Sequence, residues 1–151
     1  MEIEKKYIVE KTAYLDWFPN VVQSARINQY YLNDMNDQWL VRLRSYGSLY
    51  YLTLKTKGLL SREELEFRIT EQEFEKAVIL SKKHLGKIRF IVELSNYPGV
   101  IFEIDKYDSY DFLTCEVEFK TEEEAKAFVP PSWCIEDITE DPKYKNINLA
   151  K

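Results

Sequence analysis

Cysteine is scarce in this chain, and its two thiols, Cys115 and Cys134, are too few for a disulfide framework and lack the spacing of a zinc site. The expectation is a reduced, cytoplasmic protein in which Cys115 is a small core residue. Four glycines and five prolines leave no linker or low-complexity segment, and no fixed period announces a solenoid. The one histidine, His84, sits in Lys82-Lys83-His84 and reads as structural rather than as a covalent catalyst. No apolar run approaches the length of a membrane-spanning helix, and Glu2 and Glu4 directly after Met1 do not suit a secretory leader. The net charge of -5 argues against a broad nucleic-acid surface, although a net count hides any clustering of cations.

What the chain has in quantity is charge at a regular spacing. Ionisable residues recur two apart in Glu2/Glu4/Lys6, Arg42/Arg44, Glu64/Glu66/Arg68, Lys87/Arg89, Glu103/Asp105 and Glu116/Glu118, and Lys55 follows Thr53 in the same way. Side chains alternate faces along a strand, so each set shares one face. Between them lie Val41, Leu43, Leu54, Leu65, Phe67, Ile88, Phe90, Ile104, Cys115 and Val117, an apolar opposite face that must pack against something. An antiparallel sheet with one wet face is the bland alternative. A solvated face normally mixes Thr, Ser, Gln and Lys, whereas here Arg and Glu recur.

About eight such strands can close on themselves and turn the charged face inward. The expected class is α+β and strand-dominated: a closed eight-stranded antiparallel β-barrel, or tunnel, with a charged interior and helices packed outside. The 151 residues suit a single domain spanning 1–151. Enclosed charges must pair or bind ions, because an isolated charge in low dielectric costs several kcal/mol or more.

Helices are fewer. Thr12 to Ala25 reads as a helix interrupted near Pro19. Thr70 to Leu85 reads as a longer one, with a capping box of Thr70 and Glu73 and with Gly86 as its stop, so that His84 falls near a helix C-terminus. Thr121 and Glu124 repeat the start signal before Pro130-Pro131, and a last turn or two follows Asp141-Pro142, with Tyr144, Ile147 and Leu149 facing inward. Lys55-Thr56-Lys57-Gly58 reads as a strand end and turn, and Trp133 as a cap on the tunnel mouth or core.

Arginines and lysines on one enclosed face suit a polyanion, and phosphate above all, since Arg grips its oxygens bidentately. Carboxylates on the same face would repel that ligand unless hard divalent cations bridge the two. The combination suggests phosphoryl transfer.

Several motifs then resemble one family. Glu2-Ile3-Glu4-Lys5-Lys6 is similar to the E-x-E-x-K signature of the CYTH superfamily, the triphosphate tunnel metalloenzymes. Gln29-Tyr30-Tyr31-Leu32, Val41-Arg42-Leu43-Arg44, Thr53-Leu54-Lys55 and Arg62-Glu63-Glu64-Leu65-Glu66 resemble its next motifs, and Lys87-Ile88-Arg89, Glu103-Ile104-Asp105 and Glu116-Val117-Glu118 follow in family order. The C-terminal run from Pro130 to Asn146 resembles short bacterial members that hydrolyse inorganic triphosphate.

The resemblance implies that Lys6, Arg42, Arg44, Lys55, Lys87 and Arg89 bind triphosphate and that Glu2, Glu4, Asp105, Glu116 and Glu118 hold Mg²⁺ or Mn²⁺. Lys6, Tyr31, Glu64 and Glu66 complete the catalytic set, with Tyr31 hydrogen-bonded to Lys6, and with Glu64 and Glu66 orienting the basic residues or joining the metal shell. The implied reaction is hydrolysis of a phosphoanhydride in inorganic triphosphate. A class IV adenylate cyclase or a thiamine triphosphatase, with a nucleoside or organic triphosphate in place of the inorganic one, and a non-catalytic polyphosphate- or nucleotide-binding module are the alternatives. The expected partners include no nucleic acid and no membrane, and exposed strands are compatible with a homodimer.

Overall fold

A computed structural model of the chain describes residues 1–34, 38–56 and 60–151. Lys57 and Gly58, expected in a turn, lie outside the described residues. The strands are β1 (Glu2–Val9), β2 (Val21–Tyr31), β3 (Trp39–Tyr46), β4 (Leu49–Thr56), β5 (Ser61–Arg62), β6 (Glu64–Ile69), β7 (Lys83–Val92), β8 (Phe102–Tyr107), β9 (Leu113–Glu118) and β10 (Cys134–Asp137). The helices are α1 (Tyr14–Trp17), α2 (Glu71–Val78), α3 (Glu122–Ala127) and α4 (Asn146–Leu149).

One antiparallel sheet runs in the order β10-β1-β9-β8-β7-β2-β3-β4-β6. Its circuit is nearly closed by β5, which continues β6 across Glu63 and pairs with β1 through Glu2–Arg62 and Ile3–Ser61. The far half of β1 pairs on that same side with β10 instead, Tyr7 opposite Asp137. Eight longer strands thus form the expected tunnel wall, and β5 and β10 are short additions that share one edge of β1.

The register follows from the alternation of charged and apolar residues. Directly opposed pairs include Lys6 with Glu116, Glu4 with Glu118, Arg89 with Asp105, Lys55 with Glu64 and Tyr31 with Arg42. A slip of one residue would turn every charge to the apolar side, so the pattern holds the pairing in place. On that apolar side Val9, Val92, Phe102, Ile104, Cys115 and Val117 pack with Ala13, Trp17 and Trp133 into one buried cluster. Trp133 therefore belongs to the core. Burying each large side chain of this kind stabilises the fold by about 1.5–3 kcal/mol.

Helix α2 starts where expected: Thr70 Oγ1 accepts from Glu73 N at 3.1 Å, and Glu73 Oε1 accepts from Thr70 N at 2.9 Å. Phe74 is buried outside the barrel against Tyr30 and Tyr50, with ring centroids 5.7 and 4.9 Å away. The helix ends at Val78, and Leu85 and Gly86 lie in β7, which corrects the expected stop at Gly86. Leu85, Lys87 and Arg89 alternate with Gly86 and Ile88, and ten consecutive positions of β7 find partners on β2 or β8. Tertiary pairing of that extent outweighs a local helical pattern. Gly86 serves a different need: a Cβ there would collide with the Arg26–Asp108 ion pair that crosses above it. His84, on β7 rather than at a helix end, stacks on Tyr30 at 4.6 Å and meets Asn28 Oδ1 at 2.9 Å.

The expected helix from Thr12 to Ala25 is corrected likewise. Helical turns stop at Asn20, and Val21 to Ala25 open β2, where β-branched Val21 and Val22 suit a strand. Helix α3 keeps its cap, Glu124 N donating to Thr121 Oγ1 at 3.1 Å, and packs on the outside of β1. Helix α4 differs from the other helices. Ile147, Leu149 and Ala150 bury against Tyr31, Leu85 and Tyr107, and Asn146 and Ile147 reach the cavity itself. Among the described residues no helix is long and apolar enough to cross a membrane.

Candidate functional site

The inner faces enclose a cavity of about 440 Å³. Strand β1 contributes Glu2, Glu4 and Lys6, β2 Tyr31, β3 Arg42 and Arg44, β4 Lys55, β6 Glu64 and Glu66, β7 Arg89, and β9 Glu116 and Glu118. Twelve of the fourteen residues singled out from the sequence thus meet around one space. Lys87 and Asp105 do not line it. Both are fully buried behind it, where Asp105 accepts from Lys87 Nζ at 2.7 Å, Arg89 Nε at 2.8 Å and Arg89 Nη2 at 2.9 Å. Burial pushes Lys87 down to about 7 against the pull of Asp105. Burial would raise Asp105, but Arg89 and Lys87 hold it below the ordinary carboxylate value.

The cations facing the cavity differ in how fully they are engaged. Lys6 Nζ donates to the Tyr144 carbonyl at 2.6 Å and Asn146 Oδ1 at 3.4 Å, and lies 3.6 Å from Glu116. The expected bond to Tyr31 is not among these, because the Tyr31 hydroxyl instead accepts from Gln29 Nε2 at 3.1 Å. Arg89 adds Glu103 at 2.9 Å and Glu116 at 3.5 Å to its Asp105 contacts. Burial opposes the charge on Glu116, but Lys6 and Arg89 keep it well below the usual range.

Arg42 Nη2 donates to Thr53 Oγ1 at 3.3 Å and lies 3.9 Å from Glu66 and 4.0 Å from Glu64. Thr53 in turn donates to Glu66 at 3.1 Å. Arg44 is lowered to about 10 by burial and by the neighbouring Arg42 and Arg89. Arg42 Nε and Arg44 Nε are buried without a hydrogen-bond partner among the described residues. Such groups are costly unless something accepts from them, and an anion in the cavity would do so.

On the facing wall, Glu2, Glu4 and Glu118 each offer an oxygen, all within 4.8 Å of one another. Burial would raise Glu2, yet Lys55 at 3.1 Å and Arg62 at 2.9 Å hold it down to about 2. Glu4 is pushed up to about 7 by burial and by Glu116 and Glu2. Glu118 is also raised to about 7, by burial and by Glu103, Glu2 and Glu116. Carboxylates this close, with those of Glu4 and Glu118 harder to ionise than usual, make a donor set suited to a hard cation.

Sequence reasoning assigned no role to several residues that shape this site. Glu103 was detectable, being on the same strand face as Asp105, and Arg62 opens the Arg62-Glu63-Glu64 motif. Thr139 and Tyr144 lie in short turns and Asn146 opens α4; Tyr144 was expected to face inward, but none of the three was expected to take part in the site.

A nearly closed antiparallel barrel, with arginines and lysines facing clustered carboxylates across one cavity, defines a class of tunnel protein that handles anions. The CYTH domain matches residues 1–140, and the chain belongs to the CYTH family. It is 36% identical over 153 residues to an inorganic triphosphatase of Nitrosomonas europaea, covering 99% of this chain and 96% of that protein. An inorganic triphosphatase of Acetivibrio thermocellus is 30% identical over 155 residues, covering 99% and 93%. Among solved structures, the crystal structure of an inorganic triphosphatase superposes with a TM-score of 0.69 at 33% identity, covering 99% of this chain and 94% of that one.

Proposed function

We propose that this chain is a metal-dependent inorganic triphosphatase that binds tripolyphosphate in the tunnel and hydrolyses one phosphoanhydride bond. The carrying observation is the opposition, across one cavity, of buried guanidinium N–H groups that lack acceptors and a cluster of three carboxylates. Relatives named inorganic triphosphatase over nearly the whole chain support it. The two free cysteines suit the reducing cytoplasm.

Arg42, Arg44, Lys55, Lys6 and Arg89 hold the phosphate chain and offset its charge. Glu64 and Glu66 orient Arg42 and Lys55, and Gln29 fixes the Tyr31 hydroxyl beside them. Glu2, Glu4 and Glu118, with Glu116 adjacent, fit a divalent cation, Mg²⁺ or Mn²⁺, which when bound supplies Lewis-acid polarisation of phosphate oxygens. Lys87 and Asp105 act through Arg89: the Asp105 carboxylate grips two of its nitrogens and sets the direction in which the guanidinium points.

Phosphate release from tripolyphosphate, ATP and thiamine triphosphate, each with Mg²⁺, Mn²⁺ or EDTA, tests the reading. Cleavage of tripolyphosphate in preference to the other two, abolished by EDTA, is expected. Glu118→Gln should lower turnover by more than about tenfold with little change in melting temperature, as disturbing a metal's surroundings does. Cyclic AMP from ATP would move the assignment to a cyclase. Triphosphate-induced thermal stabilisation without turnover would move it to a binding module.

A further inference from the structure

The carboxylate cluster is already bridged by a cation from the chain itself. Arg62 Nε donates to Glu2 Oε1 at 2.9 Å, and its Nη2 forms a close ion pair with Glu4 Oε1. These are two of the three residues whose oxygens converge within 4.8 Å. Arg62 lies on β5, directly opposite Glu2, in the two-residue ladder that closes the barrel, and its side chain lines the same cavity as Lys55 and Arg42.

A divalent cation that takes the Glu2 and Glu4 oxygens held by Arg62 competes with the guanidinium for them. Bringing an ion to them requires breaking two charge-assisted hydrogen bonds, and it sets the arginine's own charge against the incoming one. Without any cation, two carboxylates this close and this buried would repel each other. Arg62 answers that problem while the ion is away. Once displaced, its guanidinium would be a charged fork without carboxylate partners in a cavity built for phosphate, and phosphate matches its geometry as a carboxylate does.

We propose that Arg62 is an internal counter-ion that occupies Glu2 and Glu4 in the metal-free protein, yields them when a divalent cation binds, and then turns to the phosphate chain. The inference rests on the metal-dependent triphosphatase reading above and deepens it. It assigns Arg62 a double role that makes cation loading and anion binding linked events.

Mn²⁺ binding to metal-free protein, followed by calorimetry or by the spin signal of free Mn²⁺, tests the first half without any turnover. Arg62→Gln is expected to bind Mn²⁺ at least about fivefold more tightly than the parent, the lower range of coupling between linked sites. In saturating Mn²⁺ the same variant should bind non-hydrolysable imidotriphosphate at least about fivefold more weakly. Arg62→Lys, which keeps the charge and the barrel closure but replaces the planar fork with a single ammonium, should fall between parent and glutamine variant in both assays. These opposite signs separate a counter-ion from a residue that merely shapes the cluster, whose loss would weaken both ligands. Saturable Mn²⁺ binding that is equal or weaker in both variants overturns the inference alone. Tighter Mn²⁺ binding with unchanged imidotriphosphate affinity overturns the transfer to phosphate. No saturable Mn²⁺ binding to the parent overturns the metal assignment and the inference with it.

Discussion

Asp105 and Glu4 are both carboxylates on the charged register of the barrel, and both are nearly sealed from water, yet their charge states diverge. Asp105 sits between Lys87 and Arg89 with both oxygens engaged and is held below its ordinary value. Glu4 has one guanidinium partner and two acidic neighbours and is pushed up to about 7. One corner of the wall is electrostatically complete and supports an arginine. The other retains carboxylate capacity that a cation can use. What separates the two acids is the balance of partners around each, together with the deeper burial of Asp105 behind the cavity.

Removing the Asp105 charge should have the largest effect. Asp105→Asn leaves Lys87 and Arg89 without their shared counter-charge, and breaking a buried pair in this way costs about 3–5 kcal/mol. Urea unfolding of the metal-free protein would measure it, and a loss below about 1 kcal/mol would mean that the corner tolerates vacancy.

The pH dependence of stability sharpens the contrast, because the two acids have opposite signs. Glu4 has a raised folded value, so its favourable contribution is fully present below 4.5 and is lost as pH rises through about 7. Asp105 has a lowered one, so its contribution is present above the ordinary value of 3.8 and is lost as pH falls through the folded value. Between pH 4.5 and 7, Glu4→Gln should make the stability of the metal-free protein fall less steeply, by at most about 1.4 kcal/mol per pH unit. Parallel curves for parent and variant across that window would refute the assignment of Glu4 as the titrating group.

Gly86→Ala gives the smallest effect and sets a scale for exposed charge beside buried charge. The added Cβ must push aside the Arg26–Asp108 pair, whose side chains are both exposed. Exposed pairs are worth about 0–1 kcal/mol. A loss of about 1 kcal/mol or less, or roughly 2–4 °C in melting temperature, is expected in a thermal melt. A loss rivalling that of Asp105→Asn would show that β7 itself cannot accept the side chain.

Much of the barrel was legible because it is written in a two-residue period. Glu2/Glu4/Lys6, Arg42/Arg44 and Glu116/Glu118 all line the cavity as that period requires. Helix starts were legible too, since Thr70 with Glu73 and Thr121 with Glu124 are local devices that act within one turn. Helix ends were not. The chain from Ile79 to Gly86 carries no local instruction as strong as the ladders that β2 and β8 offer, and the stretch from Val21 to Ala25 changed class for the same reason. Nor did spacing separate Asp105 from Glu103, two residues before it on the same face, although Glu103 reaches the cavity and Asp105 is sealed behind it.

Alternation along a strand leaves each side chain only two directions, so the order of residues was enough to say which ones face inward and that the inner wall would carry both signs of charge. What those charges do depends on contacts made across the fold. Arg62 meets Glu2 and Glu4 because β5 folds back to close the barrel, Lys6 is held by Tyr144 and Asn146 from the far end of the chain, and Asp105 is fully occupied by β7. Charge state depends on which groups lie within a few ångströms and on how much water remains, and neither is encoded at the distance of one or two residues.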